Sequence, residues 1–108
     1  MHLKHLHLLR IKKNITEKLN IKIKTMSKLL YFSAAWCGPC KALGPTVQLL
    51  QTQGLNIQKI DVDQDTTSST QYNIRSVPTL VKIDNNGNEV GRLVGNQSAD
   101  AIKALYGN

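Results

Sequence analysis

Cys37 and Cys40 are the only cysteines in the 108-residue chain, and they stand three positions apart in Trp36-Cys37-Gly38-Pro39-Cys40-Lys41. Thiols at this spacing, one helical turn apart, can bring their Cα atoms within the ~4.4–6.8 Å that a disulfide needs. Pro39 suits a first helical turn, where its missing N–H costs nothing and its φ is already helical. Cys37 then falls at a helix N-terminus, where unpaired backbone N–H groups and the positive end of the macrodipole favour thiolate over thiol. The chemistry this predicts is dithiol–disulfide exchange, with Cys37 as nucleophile and Cys40, one turn deeper, as the resolving thiol. Two other readings stay open. A disulfide could merely staple the fold, although so small a ring removes little unfolded-state entropy. Zinc could join the two sulfurs to His2, His5 and His7, although zinc pairs normally carry matching ligand spacing on both halves.

Something must deliver Cys37 to an exposed edge, and the sequence supplies it. Leu29 to Ala34 is a nearly continuous apolar run, expected of a parallel strand covered on both faces. From Cys40 to about Gln53, Leu43, Val47 and Leu50 recur at i, i+4 and i+7, a helical face. Pro45 lies inside that helix, and Gly54 is its candidate C-cap. Asn56 to Val62 reads as the next strand. Asp61 and Asp63 near its end are read as structural carboxylates. Asp65 to Tyr72, rich in Thr and Ser, supports at most a short helix. Asn86-Gly87 between Leu80–Ile83 and Glu89–Val94 is a hairpin signal. Ser98 is a plausible N-cap for a last helix with Ile102 and Leu105 on its apolar face.

The formal charge of +7 is unevenly spread. Residues 1–25 hold seven Lys or Arg against Glu17 alone, whereas residues 26–108 hold seven basic against six acidic side chains. The chain therefore divides into a basic N-terminal extension, 1–25, outside the core, and a nearly neutral domain, 26–108. In the extension, Leu8, Ile11, Ile15 and Leu19 could line one helical face, and Ile21 to Lys24 alternates like an edge strand. No apolar run approaches the ~18 residues of a membrane span, and no nucleotide or metal motif appears. Nucleic-acid and membrane partners are not expected. Two cysteines in C-x-x-C, without others to build a framework, fit a reducing compartment, with cytoplasm the default.

From Leu29 to Tyr106 the sequence resembles thioredoxin, carried by Trp36 to Lys41, Pro45, Asp61, Arg75-Ser76-Val77-Pro78-Thr79 and Val94-Gly95. The resemblance implies an α/β thioredoxin fold: a mixed central sheet with a parallel βαβ unit, then a C-terminal antiparallel β-hairpin plus helix, shortened at the N-terminus. It implies a monomeric protein-disulfide reductase with a redox-active Cys37–Cys40 disulfide, no bound cofactor, disulfide-containing protein substrates, and reduction by thioredoxin reductase or a glutathione system. It makes Pro78 a cis proline against the redox pair and Gly95 a point of close substrate approach, so that Trp36, Gly38, Pro39, Val77, Pro78 and Gly95 form the substrate surface. Lys59 falls near the buried side of the dithiol. Two residues depart from the family pattern: Tyr31 stands where a buried acid is common, and Ser33 where a tryptophan is usual. A phenol with a pKa near ~10 is a weak base at neutral pH, which predicts a slower resolving step. The competing class is a non-catalytic binding subunit using the Trp36, Val77 and Gly95 surface; a glutathione-dependent glutaredoxin is the second enzyme reading.

Overall fold

The computed structural model describes residues 27–107. The expectations for the basic extension, including its histidines, its edge strand and the shortened N-terminus, lie outside these residues. The described elements run β1 (Lys28–Ser33), α1 (Gly38–Thr52), β2 (Ile57–Asp61), α2 (Thr66–Gln71), β3 (Thr79–Ile83), β4 (Glu89–Val94) and α3 (Ala99–Gly107). They form one four-stranded sheet of order β2-β1-β3-β4. β1 pairs parallel with β2, Leu29 opposite Ile57 and Ser33 opposite Asp61, so α1 is the crossover of a βαβ unit. On its other side β1 pairs antiparallel with β3, and β3 with β4. This is the expected order of elements, with strand ends shifted by a residue or so.

Strand alternation sends β1 side chains into two cores. Leu29 and Tyr31 join Leu43, Val47 and Leu50 of α1, Ile57, Leu80 and Ile102 of α3 on one face. Leu30 and Phe32 join Ile60 and Val81 on the other, with Tyr72 and Ile74 packed against them. Both faces of β1 are thus covered, which is why its sequence is continuously apolar rather than alternating. Each fully buried leucine, such as Leu29, Leu43 or Leu50, contributes about 1.5–3 kcal/mol relative to an exposed one.

Local chemistry sets the element ends. α1 stops with Gln53 as C-cap, one position before the glycine expected there. Gly54 follows at φ +99°, a left-handed conformation that a side chain would disfavour, and its N–H donates to the Gln51 carbonyl at 3.1 Å. Asp65 caps α2 by accepting the Ser68 N–H at 3.0 Å. Ser98 Oγ likewise accepts the Ala101 N–H at 3.1 Å at the start of α3. In the β3–β4 loop Gly87 sits at φ +84°, while Asp84 Oδ1 accepts the N–H groups of Asn86 and Asn88, both at 2.9 Å. No described helix is long and apolar enough to cross a membrane.

Candidate active site at the Cys37–Cys40 disulfide

β1 ends at Ser33 and α1 begins at Gly38, so the connection lifts Trp36 and Cys37 off the carboxyl edge of the sheet. Cys37 is the N-cap of α1, with φ −88° and ψ 113°. Its Sγ accepts the Cys40 backbone N–H at 3.1 Å, in the manner of a serine or aspartate cap oxygen. Cys40, one turn on, is disulfide-bonded to Cys37 across a Cα–Cα distance of 5.2 Å. Pro39 occupies the first turn, where no backbone donor is missed. Pro45 lies inside α1 and cannot donate to the Lys41 carbonyl.

The two sulfurs belong to residues of nearly equal burial, 4% exposed for Cys37 and 5% for Cys40. Ala34 packs with them, and Val62 and Val77 lie against the three. Their surroundings nevertheless differ. Around Cys37 the structure gathers the residues of an open rim. Trp36 is 69% exposed, its indole N–H donating to Asp63 Oδ2 at 2.8 Å. Gly38 and Pro39 are exposed beside it. The Val77–Pro78 bond is cis, as expected, and the Val77 carbonyl oxygen lies 3.6 Å from Cys37 Sγ, within reach of the thiol once the pair is reduced. Gly95, at φ +90°, donates its N–H to the Pro78 carbonyl at 2.8 Å and so stands next to that proline. Trp36 and the first α1 residues, Gly38 and Pro39, thus flank Cys37 in the chain, Val77 reaches its sulfur, and Pro78 and Gly95 follow through the Gly95–Pro78 hydrogen bond.

Behind Cys40 lies a cleft of about 440 Å³ whose walls include Tyr31, Ser33, Lys41, Lys59 and Asp61. Tyr31 is buried, and its hydroxyl donates to the Cys40 backbone carbonyl at 2.9 Å. Burial pushes its phenol pKa above the ordinary value, outweighing a hydrogen bond with Ser33 that acts the other way. Lys59 pairs with Tyr31 in the β1–β2 register and is exposed, so it borders the same cleft as Cys40. Among the described residues no group of His, Cys, Asp and Glu side chains could hold a metal ion.

Reading the sequence missed one member of this site, Asp63, which it took for a structural carboxylate. It orients the exposed indole from 27 positions away. The contact follows from the strand register, which no local sequence pattern states: Ser33 faces Asp61 in the parallel pair, so residues just beyond those two ends emerge side by side.

Known proteins align with this geometry. The thioredoxin family model matches residues 10–107. A thioredoxin from Chlamydia caviae is 36% identical over 91 residues, covering 82% of this chain and 88% of that protein. A thioredoxin from Chlamydia trachomatis is 38% identical over 79 residues, covering 71% and 76%. Among solved structures, a mutant thioredoxin from Halobacterium salinarum superposes with a TM-score of 0.69 at 38% identity, covering 86% of this chain and 85% of the other. Fasciola hepatica thioredoxin gives 0.68 at 32% identity, covering 83% and 88%. The chain belongs to the thioredoxin family, and it is a protein-disulfide reductase whose redox-active group is the Cys37–Cys40 disulfide.

Proposed function

We propose that Cys37 is the attacking thiolate and Cys40 the resolving thiol, acting on disulfides of other proteins. The observation that carries the assignment is the Cys40 backbone N–H directed at Cys37 Sγ at 3.1 Å. A fixed donor, at the N-terminus of a 15-residue helix, favours negative charge on that sulfur and not on its partner. In the first step the Cys37 thiolate attacks one sulfur of the substrate disulfide; a mixed disulfide forms and a substrate thiolate leaves. In the second, the Cys40 thiolate attacks Cys37 Sγ, the mixed disulfide breaks, and the second substrate thiolate departs. The substrate gains two electrons, and the protein is left with its own disulfide. Because both cysteines belong to one short turn, the second step is intramolecular.

The rim is read as the substrate surface. Trp36, held by Asp63, covers one flank, Gly38 and Pro39 another, and Val77 offers backbone for an extended substrate segment to pair with beside Pro78 and Gly95. Tyr31 and Lys59 are read as tuning the resolving side. The protein is read as acting as a monomer. A separate reductant, thioredoxin reductase or a glutathione system, returns the disulfide to the dithiol, and a reducing compartment such as the cytoplasm suits that cycle. Residues 1–25 are read as an extension separate from the catalytic domain, residues 26–108.

The test is reduction of insulin by the full chain with dithiothreitol as reductant. Turnover is expected in the wild type and none in Cys37→Ser, while Cys40→Ser accumulates the mixed disulfide. Trapping of substrate on Cys40 instead would reverse the assignment. Residues 26–108 alone are expected to retain the activity.

A further inference from the structure

The cleft behind Cys40 has a property that the exchange mechanism leaves unused. It brings an opening of about 440 Å³, lined by polar and apolar groups alike, against the resolving cysteine, and Ser33, buried at 2% exposure, contributes to its wall a side chain of only two heavy atoms. We propose that this cleft is the proton route of Cys40: its thiol gives up its proton to solvent-borne base through hydration of the cleft, with none of the described side chains acting as base. The proposal rests on Cys40 being the resolving thiol.

Among the described residues, the titratable groups that line the cleft with Cys40 are Tyr31, Lys41, Lys59 and Asp61. β1 brings Tyr31, whose hydroxyl is already donated to the Cys40 carbonyl and whose phenol is pushed further from ionisation by burial; it holds the backbone of Cys40 and is a positioning residue. α1 brings Lys41, and β2 brings Lys59 and Asp61. The two ammonium groups are cations that favour a thiolate without accepting its proton. Asp61 is half-buried, and its Oδ1 accepts the Asp63 N–H at 2.8 Å. The loop before β3 brings Val77, which does not titrate. The walls of the cleft carry donors and acceptors, and its volume is room for several ordered waters. The step balances simply. Base takes the proton from Cys40 Sγ, the resulting thiolate attacks Cys37 Sγ, and the departing substrate thiolate takes a proton from solvent.

The test uses the reduced full chain with an equimolar symmetrical aromatic disulfide that releases a coloured thiolate, followed by stopped flow. The first release reports attack by Cys37, the second resolution by Cys40. With solvent as the acceptor, the second phase is expected to rise about tenfold per pH unit below the Cys40 pKa, following its thiolate fraction. Ser33→Trp, which fills the cleft, is expected to slow the second phase about tenfold at neutral pH by raising the cost of the buried thiolate. Ser33→Leu, the milder filling, should slow it less, and Ser33→Ala, Tyr31→Phe and Asp61→Asn should keep the slope. A plateau in the wild-type second phase that disappears in Asp61→Asn or Tyr31→Phe would overturn the proposal by identifying a protein base. Equal second phases in wild type, Ser33→Leu and folded Ser33→Trp would overturn it by showing the cleft to be irrelevant. Absence of two phases in the wild type would instead refute the role of Cys40 itself.

Discussion

The two sides of the Cys37–Cys40 disulfide are alike in burial and unlike in everything else. Cys37 and Cys40 differ by one percentage point of exposure, 4% against 5%, so access alone cannot decide which sulfur attacks. On the Cys37 side the neighbours are an exposed indole, a backbone carbonyl 3.6 Å away and an N–H aimed at the sulfur. On the Cys40 side they are a phenol hydrogen-bonded to its carbonyl and a cleft of mixed lining. One side is arranged to present a sulfur and favour its charge; the other is arranged to fix a backbone and admit water. The asymmetry comes from a single helix start: the residue that caps α1 receives an N–H from the residue one turn inside it, and the inner residue cannot receive one in return.

The most severe way to break this contrast is to remove one sulfur at a time. Cys37→Ser is expected to abolish insulin reduction, whereas Cys40→Ser should retain the initial attack and stop as a mixed disulfide, detectable as a mass increase. If the two variants behave alike, the asymmetry has no chemical consequence.

Next in size is damage to the scaffold that both sides share. Leu43, fully buried one turn after Cys40, packs α1 against β1. Leu43→Ala is expected to cost about 2–5 kcal/mol, read as a lower midpoint in denaturant unfolding. Its effect should fall on stability while the ratio of the two exchange phases stays near that of the wild type. A changed ratio would mean that α1 packing, and not the groups around each sulfur, sets the difference between them.

Much of this arrangement was legible in the sequence because it is local. A cap, a first-turn proline and a thiol three residues on are read directly from Cys37-Gly38-Pro39-Cys40, and Asn86-Gly87 announces the hairpin because glycine's left-handed φ of +84° is needed at that position. The apolar face of α1 was equally plain, since Leu43, Val47 and Leu50 obey helical spacing and all are buried. What could not be read depends on register between distant segments. The indole of Trp36 finds Asp63 only because two parallel strands end level with each other. Tyr31 was visible as a phenol in an unusual place, yet that its hydroxyl would turn to the carbonyl of Cys40 rather than to a thiol is settled by how α1 lies over β1. The last residue of each helix also escaped, as at Gln53 and Gly54, because helix ends follow a balance of small capping energies.

Smaller effects sharpen the contrast residue by residue. Tyr31→Phe removes the hydroxyl that donates to the Cys40 carbonyl, which should cost about 0.5–1.5 kcal/mol in denaturant unfolding. Tyr31→Asp goes further by placing a carboxyl group behind Cys40, and the resolving phase should then gain at neutral pH. No gain would show that proton loss from Cys40 does not limit that phase. Asp63→Asn is milder, since an amide oxygen can still accept from the indole. It should change substrate KM by no more than about twofold, with Asp63→Ala larger, because the uncharged–uncharged bond is roughly half as strong as the charge-assisted one.

The smallest expected effect separates the scaffold from the sulfurs by pH. Asp65 accepts the Ser68 N–H and, on its other oxygen, the Ser68 hydroxyl, and these bonds hold its carboxyl below the ordinary carboxylate range, the backbone bond contributing most. A carboxylate whose folded pKa is depressed adds stability above its unfolded pKa, and that contribution is lost as pH falls through the folded value. Asp84 and Glu89 are lowered in the same direction, by the Asn88 backbone bond and by the Arg92 side-chain bond respectively. None of the three is among the residues that pack on the two cysteines or line the cleft behind Cys40. Stability should therefore hold from neutral pH down to the acid range and decline only there. Exchange should instead follow the protonation of the thiolates that attack and resolve. Asp65→Asn, which can still accept from Ser68 but has no charge to lose, is expected to flatten the acid decline slightly in unfolding curves taken at stepped pH, and to leave the pH profile of exchange unmoved. If it moved the exchange profile instead, α2 would be coupled to the sulfurs, and the separation between a pH-tolerant frame and a pH-driven dithiol would not hold.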